Sequence, residues 1–386
     1  MDEIPQVNGF PRYSSEEMAH RYRQLRELMV RHRLDAVLIG GSTGPHDTSV
    51  QYYCNWPPLF PVYLIVPRDD DPELVVRLWN HIPDAERISV VKNISFGGDD
   101  HSELVIRVAE RLGGYRRIGT IGVVPYTDAT AFGSERLVNL NPDYFALRQV
   151  KTDEEMKFIR IASSMNDDAV AALASNTAPG MNEYELAKVI EDVYLDRRGT
   201  NLIHFTLTTS MADPEFFVPH QYQPDRIIKA GDVLVTEIST TFWGYTGQIL
   251  RTLCIEGEPT PLYQEMYEVA ENTYSSIVSI MRTGATIGQV LDRAESIHEA
   301  GYDIWDDLVH SYGGGGYLAP IVRTRQNRGA THPDDWAYPD GAVLVVQPNV
   351  IEPRARAGVQ VGDSMWLRPN GVEVTQKHPR EMIRCG

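Results

Sequence analysis

The sequence predicts an α/β (α+β) protein in two parts, an N-terminal α/β domain over residues 1–150 and a C-terminal domain over 151–386 built from two similar halves. Three observations lead there. Strand-length apolar runs alternate with helical periodicity up to about residue 150, a capped helix opens at Thr152, and beyond it one set of landmarks occurs twice in the same order.

Ser14 and Glu17 form a capping-box pattern ahead of Met18, Tyr22, Leu25 and Met29, which share one helix face. Asp35-Ala-Val-Leu-Ile-Gly then reads as a buried strand. Further strands are expected at 61–67, 74–78, 88–91 and 118–124, with a helix over 102–112. Thr152 with Glu155 repeats the capping box before Met156, Ile159, Ala162, Met165 and Ala169, a helix placed to connect the two domains.

The duplication comes next. Pro179-Gly-Met-Asn-Glu-Tyr-Glu-Leu opens one helix and Thr283-Gly-Ala-Thr-Ile-Gly-Gln-Val another about a hundred residues later, with Asn182/Glu185 and Thr286/Gln289 as matching helix starts. Each unit leads to a Gly-bounded strand, Gly231 to Glu237 and Gly341 to Gln347, and then to a return strand near Gly244-Tyr245 and Gly358-Val359. Two halves packed about a pseudo-twofold axis would place Glu237 beside Gln347 and Gln248 beside Gly362. A seam of that kind is a favoured place for a ligand.

Composition limits the function. The chain has 386 residues, 42% of them hydrophobic, enough for a large core. No apolar run approaches the roughly 20 residues that cross a bilayer, and the opening Met-Asp-Glu-Ile-Pro lacks a basic and an apolar region, so no membrane association and a cytoplasmic location are expected. A formal net charge of −17 without any basic, aromatic-interleaved stretch argues against nucleic acid. Cys54, Cys254 and Cys385 are far apart and outside any CxxC or Cys/His spacing, which suggests neither a disulfide framework nor a zinc site.

Gly231-Asp-Val-Leu-Val-Thr-Glu-Ile, Gly244 to Thr252, Val309-His-Ser-Tyr-Gly313, Gly341 to Pro348 and Gly358 to Asp363 resemble the successive signatures of the pita-bread fold of methionine aminopeptidase, prolidase, aminopeptidase P and creatinase. Residues 1–150 resemble the N-terminal domain of the prolidase and creatinase branch. In the peptidases two aspartates, a histidine and two glutamates hold two divalent cations; the matching positions here are Glu237, Gln248, His310, Gln347 and Gly362. Four carboxylates have become one, too few anionic ligands to offset the dehydration of two cations, so neither a metal nor any other cofactor is expected.

Creatinase resembles the peptidases in fold yet works without metal. Its acid/base histidine stands eleven residues before a Gly-Asp pair, as His220 stands before Gly231-Asp232. The resemblance therefore implies His220 as the acid/base residue, with Glu237 and His310 assisting, since imidazole exchanges protons near neutral pH. Gln248, Gln347 and Tyr317 are the expected substrate-binding groups; Tyr317 takes the place of a second family histidine, seven residues after His310. Creatinase's two assisting glutamates fall at Leu250 and Val361, so creatine itself is not the expected substrate. In that branch the N-terminal domain of one subunit helps close its partner's site, which implies a homodimer and assigns Tyr53 and Trp56 to substrate binding. The resulting expectation is a metal-independent, creatinase-like hydrolase of C–N bonds in a small nitrogen-containing metabolite. A lyase or decarboxylase using the same pocket, a non-catalytic binding protein and a residual mononuclear Xaa-Pro-type metallopeptidase are the alternatives. The run Gly313-Gly-Gly-Gly316 lacks the Lys-Ser/Thr of a phosphate loop.

Overall fold

A computed structural model describes residues 4–41, 47–312, 317–354 and 356–385. The chain divides into two compact units, one running to Arg148 and the next beginning at Gln149.

In the first unit Ser14 caps helix α1 (Ser15–His32), its side chain accepting the Glu17 N–H. The face that the spacing selects is buried, with Leu25 and Met29 fully so. Strands β1 (Ala36–Gly41), β2 (Val62–Pro67), β3 (Glu73–Val76), β4 (Asn93–Phe96), β5 (Ile118–Gly122) and β6 (Leu137–Asn139) form a mixed sheet in the order β4-β3-β2-β1-β5-β6. Helix α2 (Ser49–Cys54) lies between β1 and β2, α3 (Ile82–Ile88) between β3 and β4, and α4 (His101–Leu112) between β4 and β5.

The strand expected at 88–91 is not there. Pro83 starts α3, which runs to Ile88, and the Ser89 side chain then takes the Val91 N–H in a turn, so pairing begins only at Asn93. Ile88 and Val91 are still buried. A four-residue apolar run is ambiguous between strand and buried helix end, and here proline at the helix start decides it.

The second unit opens with α5 (Asp153–Asn176), where Thr152 and Glu155 make both hydrogen bonds of a capping box. Thr286 and Gln289 do the same for α8 (Ile287–Ala294). At the matching start of α6 (Glu185–Leu195) only the reverse half is made, from the Asn182 N–H to Glu185. Between α6 and α8 lie β7 (Thr200–Ser210), β8 (Asp232–Phe242), β9 (Ile249–Ile255) and helix α7 (Pro261–Ile280). After α8 come β10 (Val309–Tyr312), β11 (Tyr317–Val322), β12 (Val343–Val346), β13 (Asn349–Ile351), β14 (Gly358–Gln360) and β15 (Gly362–Arg368).

Among the described residues a ten-stranded sheet carries the core path β8-β9-β15-β12-β10-β11, with β7 paired to the other side of β8. Two-residue alternation sends Val233 and Val235 toward α7, against Tyr263, Met266 and Ala270, while Leu234 and Ile238 pack with Ala162, Met165 and Ile190 of α5 and α6. Glu237 shares the Val233–Val235 parity.

The two halves meet where β9 pairs with β15 in antiparallel register, Ile249 opposite Asp363 and Leu250 opposite Gly362. This is the seam that the duplication locates. Arg251 pairs with Asp363 there at 2.8 Å, both side chains buried.

Candidate functional site

Two hydrogen-bonded pairs stand at the seam. The Gln248 amide Nε2 donates to Glu237 Oε1 at 2.6 Å. His310 Nε2 lies 3.1 Å from Gln347 Oε1. Strand β8 carries Glu237 into the interior, and Gln248 is held at the mouth of β9 by its backbone exchange with Ser364, N–H to Oγ at 2.6 Å and carbonyl from N–H at 3.1 Å.

A cavity of about 370 Å³ opens beside these pairs, lined by Glu237, Asp306, Asp307, Arg323, Arg328, Gln347 and Gln360. Apolar lining comes from Ile203, Phe205, Val218, Pro219 and Trp305. Asp306 and Asp307 lie in the loop before β10 and were not singled out from the sequence; nor were Arg323 and Gln360. Asn349 builds that loop. Its buried Oδ1 accepts the N–H groups of Trp305 at 2.8 Å and Asp306 at 3.0 Å, and its Nδ2 donates to the Asp307 carbonyl at 3.1 Å. Gln347 and Asn349 thus belong to one segment, which fixes both the amide at the seam and the two aspartates.

Burial sets the charge state. It pushes the Glu237 carboxyl up to about 8, helped by the Asp306 and Asp307 charges and opposed by the Gln248 hydrogen bond. Burial likewise raises Asp306 to about 6, with the charge and side-chain hydrogen bond of Asp307 acting in the same direction. His310 goes the other way, down to about 4, because its burial disfavours the imidazolium. Near neutral pH the site therefore holds a largely protonated Glu237 and a neutral His310 beside Asp306 and Asp307.

The expected residues are distributed as follows. Glu237, Gln248, His310 and Gln347 come together; Glu237 and Gln347 line the cavity itself. His220 is not among the lining residues, although Val218, Pro219 and Gln221 around it are. Its ring stands edge-on to Phe216 at 5.0 Å, the His220 backbone N–H donates to the Thr206 carbonyl, and burial lowers the basicity of the imidazole. The Tyr317 side chain and Gly313–Gly316 lie outside the described residues. Tyr53 and Trp56 belong to the first unit and are buried there; Tyr53 sits on α2 against Tyr22, Tyr52 and Tyr144.

The residues present do not suit the metal pair that the pita-bread resemblance implies. Glu237 Oε1, which would have to face a cation, faces an amide N–H, and the Gln347 oxygen faces His310. A side chain at Gly362 would bring its Cβ within 2.7 Å of the Val346 carbonyl oxygen and 2.8 Å of Gln347 Cα, so the backbone has closed over that position. Among the described residues no group of three or more histidine, cysteine, aspartate or glutamate side chains could hold a metal ion.

Residues 157–369 match the model of metallopeptidase family M24. The chain belongs to that family. An Xaa-Pro dipeptidase of Pyrococcus furiosus is 25% identical over 95% of this chain and 100% of its own length. The prolidase of Pyrococcus horikoshii superposes with a TM-score of 0.78 at 21% identity, over 94% of this chain and 100% of that one. An X-Pro aminopeptidase of Thermotoga maritima does so at 0.76 and 19%, over 94% and 99%. These likenesses establish the pita-bread fold. Membership of M24 makes the protein a hydrolase of a peptidase family, and no helix among the described residues is long and apolar enough to cross a membrane.

Proposed function

We propose that this M24 protein hydrolyses a C–N bond in a short peptide of the Xaa-Pro kind without the family's metal pair. The substrate class follows the relatives, which are named for Xaa-Pro peptides, and so departs from the small guanidino-type metabolite that the creatinase resemblance suggested.

One observation carries the peptide reading. Arg323 lines the cavity, makes no side-chain hydrogen bond or ion pair among the described residues, and has its Nε buried without a partner. An unpaired guanidinium beside buried carboxyl groups is costly unless an anion completes it, and a peptide's terminal carboxylate fits its fork. The cavity of about 370 Å³ admits a substrate the size of a dipeptide. Metal independence rests on the closed backbone at Gly362 and on the amides facing Glu237 and His310. In this reading the protonated Glu237 donates a hydrogen bond to the substrate, Gln248 and Gln347 orient it and His310, and His220 stays beside the cavity wall.

The test is proline release from a panel of Xaa-Pro dipeptides, run with purified protein before and after exhaustive chelation, next to small guanidino and amide metabolites. Peptide turnover that survives chelation, in protein without stoichiometric metal, is the expected result. Activity that disappears with the metal and returns with a divalent cation would refute metal independence, and turnover confined to the metabolites would refute the peptide class.

A further inference from the structure

We propose that the adjacent carboxyl groups of Asp306 and Asp307 are the acid and base that activate water in this cavity, in the place where other chemistry would use a metal pair. The inference rests on the hydrolytic reading above and names the groups that carry it out.

The first support is placement. Both aspartates line the same cavity as Glu237, and the Asp307 N–H binds Asp306 Oδ1 at 2.8 Å. Asp307 is 1% exposed, so its carboxyl group is shielded from water. The loop is fixed by three Asn349 hydrogen bonds and by the Gln347 N–H to the Leu308 carbonyl at 2.8 Å, so the pair is held by the interior and not left to solvent. Preorganisation of this kind is what a proton-transferring pair requires.

A second support is independent of the acids. Gln360 is 1% exposed, lines the same cavity, and its amide oxygen has no hydrogen-bond partner among the described residues. A buried amide acceptor left open toward a cavity that also holds the unpaired Arg323 marks a place for a ligand with both a donor and an acid group. The acidic pair therefore faces a binding space.

Two carboxyl groups on consecutive residues of one buried cavity cannot both ionise cheaply, and sharing one proton relieves them. Burial and the charge of Asp307 both raise Asp306, in agreement with that arrangement. The chemistry then closes on itself. The ionised member takes a proton from water as the water oxygen bonds to the amide carbon, and the protonated member gives its proton to the carbonyl oxygen. The first member next passes its proton to the leaving nitrogen, the C–N bond breaks, and the second recovers a proton from the collapsing diol. One water is consumed, an acid and an amine leave, and the pair is restored.

The experiment has two arms. An epoxide reagent esterifies an ionised carboxylate whose neighbour can protonate the opening oxygen, and its site is mapped by mass spectrometry on the full-length protein. Labelling of Asp306 or Asp307 in stoichiometric amount is expected, and replacing either with asparagine should abolish labelling of the other. Labelling of neither aspartate in the wild-type protein would overturn the pair, whatever the activity.

In the second arm Asp306→Asn and Asp307→Asn are each expected to lower kcat on the best Xaa-Pro dipeptide by about 100-fold or more, with KM changed less than about threefold. Chelation-resistant turnover with kcat retained in both variants would overturn the catalytic pair and leave the functional reading standing. Absence of turnover from wild-type protein on every peptide would overturn the functional reading and the pair's catalytic role together.

Discussion

Glu237 is 8% exposed on a strand buried along nearly its whole length, and its carboxyl stands at about 8 because of burial first and the neighbouring aspartates second. The folded chain therefore keeps a proton that the unfolded chain, with a carboxyl near ~4.3, gives up. The stabilisation is complete below the unfolded value and is lost as pH rises through about 8. Asp306 acts in the same direction up to about 6, and His310 in the opposite one, losing stability as pH falls toward about 4. Above the usual histidine range near ~6.5 only Glu237 of these three remains. The urea midpoint of wild-type protein should fall between about pH 6.5 and 8.5, and Glu237→Gln should flatten that fall; equal slopes in both proteins would show that the proton is held elsewhere. Glu237 and Gln347 were legible in the sequence because each closes a strand landmark, Gln248 because the duplication sets it at the seam, and His310 through the family resemblance. Asp306 and Asp307 were not. An acidic doublet after a tryptophan in a loop reads as a solvated turn, and nothing local shows that an asparagine more than forty residues later folds it inward.

Among elements, the segment from Gln347 to β13 organises the site, because Asn349 binds two N–H groups and one carbonyl of the 305–307 turn, and Gln347 Nε2 reaches the same carbonyl at 3.4 Å. Truncation to Asn349→Ala removes three hydrogen bonds from that turn and is expected to cost about 1–3 kcal/mol in urea denaturation. The same change should lower kcat more than it raises KM, because the aspartates lose their orientation while Arg323 keeps its place. A loss in stability with kcat unchanged would separate the turn from the chemistry. The return strand β15 sets a second limit. Gly362→Ala puts a methyl group against the Val346 carbonyl, which belongs to the backbone and cannot turn aside, so a loss of about 1–3 kcal/mol is expected by overpacking. Normal stability of that variant would show that the backbone can reopen there. Elements were readable where a cap and a periodicity agreed, as at Thr152 and Thr286. One was misread where a short apolar run stood alone: 88–91 is a helix end and a turn.

At the scale of the molecule, the internal duplication is more than a feature of ancestry, since it concentrates the stability of the second unit on a narrow seam. Only two residue pairs of β9 and β15 are in register there, Ile249 with Asp363 and Leu250 with Gly362. Arg251 supplies what the ladder lacks. Its Nε binds the Pro379 carbonyl at 2.8 Å, one terminal nitrogen binds the Leu250 and Gly362 carbonyls at 2.8 Å each, and the other binds Asp363 at 2.8 Å and the His378 carbonyl at 2.6 Å. All five guanidinium N–H groups are thus used, and they tie the first half's strand to the second half's strand and to the chain's final segment. Burial of such a pair gives little net stability over a well-packed apolar replacement, but removal of one partner exposes the full desolvation cost of the other. Arg251→Met should therefore destabilise by about 3–5 kcal/mol in urea, even though Tyr274 and Arg380 still reach Asp363 at 2.9 and 3.3 Å. Adding Asp363→Leu should recover at least about half of that loss, because the stranded charge is gone while the five lost hydrogen bonds are not. If the double variant is as unstable as the sum of the two single ones, the arginine acts through its carbonyl partners alone, and the seam is held by backbone capture and not by charge.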